Sequence, residues 1–211
     1  MGTNESTFSG TSIDAVTAGA VSRGVVGSRS LAARLMLVTL ASVSFAFLTA
    51  LAAQVQIPLP GTPVPMTLQL LAVLLAGLML SPGSAVAAML IYLAAGWGGL
   101  PVFSAHGTGL AGATAGYLIA FPIAAWLVAL LARGGRHTPL RLMFSAGLGL
   151  AVVFFVGVGW LAVALGDLST AVAAGLLPFA VKGVVEVLMA AAAVTCWNHL
   201  QARRNESQDG V

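Results

Sequence analysis

The sequence predicts an all-α integral membrane protein of six transmembrane helices, and three observations carry that prediction. Hydrophobic residues make up 59% of the 211 residues and charged residues only 7%, against about 25% charge in a soluble domain. The mean hydropathy is +1.00. No Asp, Glu, Lys or Arg occurs from Leu35 to Ala132, a stretch that cannot form a water-facing surface. At about 20 residues per apolar span, the length accommodates six spans and leaves no room for a soluble catalytic domain.

The formal net charge is +3 and the pI is near 9.8. The basic residues gather in three clusters flanking apolar segments: Arg23, Arg29 and Arg34; Arg133, Arg136 and Arg141; Arg203 and Arg204. They are too few to track a phosphate backbone, so no nucleic-acid partner is expected. The lipid bilayer is the partner that this placement fits. Six spans bring all three clusters to one side, the cytoplasm by the positive-inside rule, and so put both termini there. The one cysteine, Cys196, excludes a disulfide framework or a cysteine metal site within one chain.

Residues 1–30 are rich in Ser, Thr and Gly without apolar periodicity, and read as a disordered cytoplasmic tail. The apolar run behind them, Leu35 to Ala53, is long enough to span, so it reads as an uncleaved first helix and not a signal peptide. The prolines of IPLPGTPVP, residues 57–65, predict an extended loop. A short second helix is expected over Met66–Leu80, ended by a turn at Ser81-Pro82-Gly83. The third covers Ser84–Ala95, and a glycine-rich segment follows to Gly112. The fourth covers Ala115–Ala132, with a kink at Pro122. The fifth covers Leu140–Leu165, GDLSTAVAAG is a lead-in, and the sixth covers Leu177–His199. Residues 31–200 thus form the membrane domain, and residues 201–211 a polar cytoplasmic tail.

Catalysis is not expected. Lys182 is the only lysine and no phosphate-binding glycine loop precedes it. His106, His137 and His199 fall in separate places, with no nucleophile–base or metal set among them. The glycine-rich loop after the third helix suggests a ligand pocket instead. Non-helical backbone at membrane depth survives only when buried or lining a cavity, and Trp97, Phe103 and Tyr117 supply flat apolar walls. An outer loop with interfacial aromatic anchors accounts for the same composition equally well. Thr67 and Gln69 open the second helix, and a Gln in an apolar span needs a partner, either another helix or a ligand. Lys182 and Glu186 share one helix face at i,i+4. Ionisable residues inside a membrane are costly and point to function, with a structural ion pair as the plainer alternative. Ser42, Ala46 and Ala50 form a small-residue face on the first helix, suited either to internal packing or to a docking partner.

Together these residues resemble the BioY family, the biotin-specific substrate-binding S components of energy-coupling-factor (ECF) transporters. The resemblance rests on PVPMTLQ at Pro63–Gln69, LAGL at Leu75–Leu78, Tyr92, GLPVF at Gly99–Phe103, GATAGYL at Gly112–Leu118, and Pro178-Phe179. It departs from the family in two places. Ala113 and Ala115 replace a proline and a glycine. Gly183 and Glu186 stand where the family has an acid and a lysine, with Lys182 just before them.

The resemblance implies an S-component-like fold and high-affinity capture of biotin for uptake across the bacterial cytoplasmic membrane. It implies no cofactor and no enzyme activity, the ATPase work being done by partners. Its partners would be a transmembrane coupling subunit and ATPase subunits, with a homo-oligomer left open. Thr67, Gln69, Tyr92, Trp97, Phe103, Thr114, Tyr117, Lys182 and Glu186 would form the binding site, with Lys182 facing the carboxylate and Gln69 and Thr114 the ureido head. Ser42, Ala46 and Ala50 would be the coupling face. A carrier for another small vitamin, or a non-transport structural membrane protein, are the alternatives at this point.

Overall fold

The structure is a computed structural model that describes the backbone of residues 12–57, 59–104, 109–133 and 138–209. Within those stretches side chains are described from Leu31 to Ser207, Ala111 excepted. The first eleven residues of the expected tail, and the sites of His106, Arg136 and His137, lie outside the described residues. The chain divides into two compact units, Met1–Leu40 and Ala41–Val211. In the first unit the backbone is already helical from Ser12, within the stretch expected as a tail, and every side chain from Leu31 to Leu40 is exposed.

Helix α1 runs Ser12–Gln54, α2 Gln69–Met79, α3 Pro82–Trp97, α4 Ala115–Arg133, α5 Pro139–Leu165, α6 Leu168–Gly175 and α7 Leu177–Asp209. Four segments are long and apolar enough to cross a membrane: Leu31–Gln54, Ala115–Arg133, Pro139–Leu165 and Leu177–Ser207. Helices α2 and α3 are shorter. The 11 residues of α2 rise about 16 Å at 1.5 Å each, well short of the ~30 Å hydrocarbon core. Helix α4 packs against α2, α3 and α5, the last most extensively. It therefore lies at the centre of a core that includes Leu74, Val73, Met89, Tyr92, Val128 and Leu142. Pro122 is accommodated inside α4, which the structure records as one helix.

Several expected boundaries move, each for a local reason. Met66 and Thr67 are not the start of the second helix but a strand, β2 (Met66–Thr67), paired antiparallel with β1 (Gln56–Ile57). Pro63 and Pro65 bracket Val64 and hold this approach extended. The paired backbone satisfies amides that would otherwise be orphaned in an apolar setting. Helix α3 begins at Pro82, because proline suits the first helical position and the Ser81 hydroxyl accepts from the Ser84 N–H at 3.2 Å.

The GDLSTAVAAG lead-in is itself largely helical, as α6. Gly166 ends α5 in the left-handed region, with φ +73°, a conformation that glycine adopts without a Cβ penalty. Asp167 then caps α6, its carboxylate accepting from the Thr170 N–H and the Ser169 hydroxyl, both at 2.7 Å. Those donors hold its carboxyl well below the usual carboxylate range. Helix α7 continues to Asp209, through the polar segment expected as a tail.

The small-residue face of α1 is correspondingly taken up inside the chain. Ser42 and Ala46 are buried and Ala50 is half-buried. The Ser42 hydroxyl donates to the Ser84 carbonyl at 3.1 Å, and Ala46 belongs to the main core. The buried positions Ser42, Ala46, Thr49 and Ala53 recur at the 3.6-residue period of one helix face. The expected coupling face therefore corresponds to internal packing in this structure, and the exposed flank is Val43, Phe47, Leu48 and Leu51.

Overpacking a filled core costs about 1–3 kcal/mol. Ala46→Trp is accordingly expected to lower the melting temperature of the detergent-solubilised protein by several degrees. Phe47→Trp, on the exposed flank, is expected to leave it unchanged. Equal melting temperatures for the two variants would show that the Ala46 face is free.

Candidate ligand-binding site

The second unit encloses a cleft with about 690 Å³ of empty space, counted to its open mouth. Its walls come from the hairpin and α2 (Val64, Pro65, Thr67, Gln69, Leu70), the loop after α3 (Phe103, Ser104, Gly109), the start of α4 (Thr114, Tyr117, Leu118, Phe121), α5 (Val153, Phe154) and α7 (Phe179, Lys182, Gly183, Glu186). Seven of the nine residues singled out from sequence converge here: Thr67, Gln69, Phe103, Thr114, Tyr117, Lys182 and Glu186.

The other two do not line it. Tyr92 is buried behind the wall, where its hydroxyl meets Gln69 Nε2 at 2.6 Å and its ring stands edge-on to Phe103, with centroids 5.4 Å apart. Trp97, at the end of α3, is 84% exposed and lies outside the cleft. A tryptophan at the end of an apolar helix is better suited to the membrane interface.

The loop that supplies Phe103 and Ser104 is irregular backbone, and side chains from two helices and β1 tie it down. Gln54 Nε2 approaches the Pro101 and Phe103 carbonyls at 3.4 and 3.5 Å. The Tyr92 hydroxyl donates to the Val102 carbonyl at 3.3 Å, and the Ser104 hydroxyl donates to Gln56 Oε1. The hairpin is anchored from the other side, where the Thr62 hydroxyl donates to the Ala174 carbonyl of α6 at 2.7 Å.

Tyr117 is fixed by close contact. Its ring lies against Gly157, where a Cβ would collide with it, and its hydroxyl donates to the Gly175 carbonyl at 3.0 Å. A glycine on α5 and a carbonyl on α6 thus orient the same aromatic wall.

The charged part of the cleft is the Lys182–Glu186 pair, with Nζ to Oε1 at 2.8 Å and side chains 19% and 2% exposed. Glu186 is the more deeply placed. Apart from Lys182 its carboxylate completes no hydrogen bond among the described residues. The Leu71 backbone N–H lies near it without reaching bonding geometry. Leu71 is in the first turn of α2, whose N-cap residue Leu68 supplies no side-chain cap. A carboxylate is favoured at such an end, where the helix dipole is positive and the amide donors are unpaired. Glu186 of α7 thus complements both Lys182 and the start of α2.

The cleft therefore combines apolar and aromatic walls, one cation, one anion and a few hydroxyl and amide groups. Sequence reasoning did not pick out Ser104, Leu118, Phe121, Phe154 or Phe179 as lining residues. Leu118, Phe121 and Phe154 have no polar signal that would separate them from ordinary core, whereas Ser104 is polar and Phe179 follows a motif proline.

A family model described as the BioY family matches residues 20–203, which is most of the chain. The chain belongs to the BioY family. Among BioY relatives, the probable biotin transporter BioY of Pyrococcus horikoshii is 41% identical over 74% of this chain and 91% of its own length. The biotin transporter BioY of Thermotoga maritima is 32% identical, over 64% of this chain and 81% of its own. This BioY chain also shares its fold with a crystal structure of the S-component for biotin from an ECF-type ABC transporter. The TM-score is 0.72 at 22% identity, covering 79% of this chain and 93% of the other.

Because Glu186 is almost fully enclosed, removing its partner alone strands a buried charge, at a cost of roughly 3–5 kcal/mol. The partial exposure of Lys182 argues for the lower end of that range. Lys182→Met is expected to lower the melting temperature markedly, and Lys182→Met combined with Glu186→Leu to recover most of the loss. Thermal unfolding of the two variants in detergent checks this, and additive losses would show that the two residues are not coupled.

Proposed function

We propose that this multi-pass membrane protein is the biotin-binding S component of an ECF-type transporter and captures biotin for uptake across the bacterial cytoplasmic membrane. The observation that carries this is the convergence of seven residues from four separate chain segments on one cleft, in a chain of the BioY family. The chemistry of the cleft suits the ligand. Phe103, Tyr117, Phe154 and Phe179 offer apolar surface to the thiophane ring and aliphatic chain. Thr67, Gln69, Thr114 and Glu186 offer partners for the ureido head, and Lys182 is a cation for the carboxylate. The protein is a transport subunit and not an enzyme, and biotin is its ligand and not a cofactor. A transmembrane coupling subunit and ATPase subunits would drive reorientation.

Six membrane crossings with both termini in the cytoplasm form part of this reading. The short helices α2 and α3 would complete the count begun by the four long ones. Arg133, Arg141, Arg203 and Arg204 would then share the cytoplasmic side, while Asp167 and the mouth of the cleft lie outside. The cytoplasmic placement of residues 1–30 belongs to the same proposal. In a Cys196→Ser background, a cysteine at exposed Ser169 is expected to react with an impermeant reagent on intact cells, and one at exposed Thr138 is not. The reverse pattern would overturn the topology.

The ligand reading is tested by calorimetry with biotin and biotinamide. Truncating one partner of a desolvated charge pair costs about 2–5 kcal/mol, so Lys182→Ala is expected to weaken biotin binding by that amount. Biotinamide, which has no negative charge, should lose less. Equal losses would mean that Lys182 supports the fold without reading the carboxylate. Absence of biotin binding to the wild-type protein would overturn the proposed function as a whole.

A further inference from the structure

The wall of the cleft at Thr67 and Gln69 is backed by a chain of hydrogen bonds whose direction is set from outside the cleft. It ends on the Val102 carbonyl, which can only accept. The Tyr92 hydroxyl must therefore donate to Val102, at 3.3 Å. Having spent its proton, Tyr92 can only accept from Gln69, which it meets at 2.6 Å. That contact fixes the amide nitrogen of Gln69 toward Tyr92, away from the lining. The amide oxygen is left with Thr67, whose hydroxyl donates to Oε1 at 2.9 Å. The reverse direction, with Tyr92 donating to Oε1 and Nε2 donating to Thr67, is sterically equivalent for a side-chain amide. It would, however, strip the Val102 carbonyl of the donor that the buried Tyr92 supplies, and a lost partner of that kind is costly.

We infer that Tyr92 is a positioning residue that sets the polarity of Gln69, so that this wall of the cleft presents hydrogen-bond acceptors to the ligand. The Thr67 proton is committed to Gln69 and one of the two Gln69 N–H groups to Tyr92. A lone pair on Oε1 and the lone pairs of the Thr67 oxygen remain to accept from a ligand in the cleft that both residues line. Such a wall favours a ligand edge that carries N–H donors, as a cyclic urea does. The inference deepens the biotin reading and rests on it for the identity of the ligand, while the polarity itself is a property of the empty protein.

Two measurements separate the inference from that reading. The chain has two tyrosines, so in Tyr117→Phe the tyrosine ring doublet of the Raman spectrum reports the hydroxyl of Tyr92 alone. In the ligand-free protein it is expected to show a hydroxyl that both donates and accepts; one that only donates overturns the inference whether or not biotin binds. The second measurement is a double-mutant cycle on biotin affinity. Tyr92→Phe is expected to weaken binding about tenfold, in the range of one lost hydrogen bond. In a Gln69→Ala background the same change should weaken it less than twofold, since the residue it acts through is gone. Equal losses in the two backgrounds would mean that Tyr92 supports the fold only, and would overturn the inference. If wild-type protein fails to bind biotin, the proposed function falls and the Raman result still decides the polarity.

Discussion

The structure depends on one constraint: backbone amides and carbonyls within an apolar surrounding must find partners inside the protein. Helices satisfy this by themselves, and most of the chain is helical. A ligand site, however, needs approaches that a regular helix does not offer. The protein meets both demands by placing its irregular segments where other elements can hold them. The hairpin at Gln56–Thr67 pairs with itself and is tied to α6 through Thr62. The loop at Pro101–Ser104 is held by Gln54, Gln56 and Tyr92. The polar residues near the site thus serve the backbone first, and the groups they leave over define what the cleft can recognise.

Burial of Glu186 follows the same logic for charge. A carboxylate with a 2% exposed side chain is tolerable because two positive features meet it: the Lys182 ammonium at 2.8 Å and the uncapped start of α2. The i,i+4 spacing keeps the pair on one face of α7, where Gly183 between them packs against Leu150 and Phe154. This pair departs from the order expected for the family, yet it lines the cleft together with Phe179 from the same helix.

Aromatic side chains show how packing assigns roles that composition leaves open. Trp97, Phe103 and Tyr117 all offer a flat aromatic surface in one glycine-rich stretch. Tyr117 is held over Gly157 with its hydroxyl on Gly175, and Phe103 turns inward against Tyr92. Trp97 has no such enclosure and stays exposed. Ser42, Ala46 and Ala50 illustrate the same point for small residues, whose spacing fits an internal seam as well as an external one. The hydrogen bond from Ser42 to Ser84 and the burial of Ala46 place them in the seam.

Composition and hydropathy by themselves determined the solvent of this protein, its all-helical class and the positions of the long apolar helices, because burial of about 20 apolar residues per span is a property of the chain and needs no neighbours. The prolines around residue 60 and the polar residues inside apolar runs also marked where regular structure would yield and where chemistry would gather. Tertiary structure decided the rest. Met66–Thr67 became a strand because Gln56–Ile57 lay opposite it, and GDLSTAVAAG became a capped helix because Asp167 could turn its carboxylate onto Thr170. Tyr92 went behind the wall and Trp97 outside it because the cleft is assembled from segments far apart in sequence. Which side of a residue faces a neighbour, and which faces a ligand, is fixed only when those segments meet.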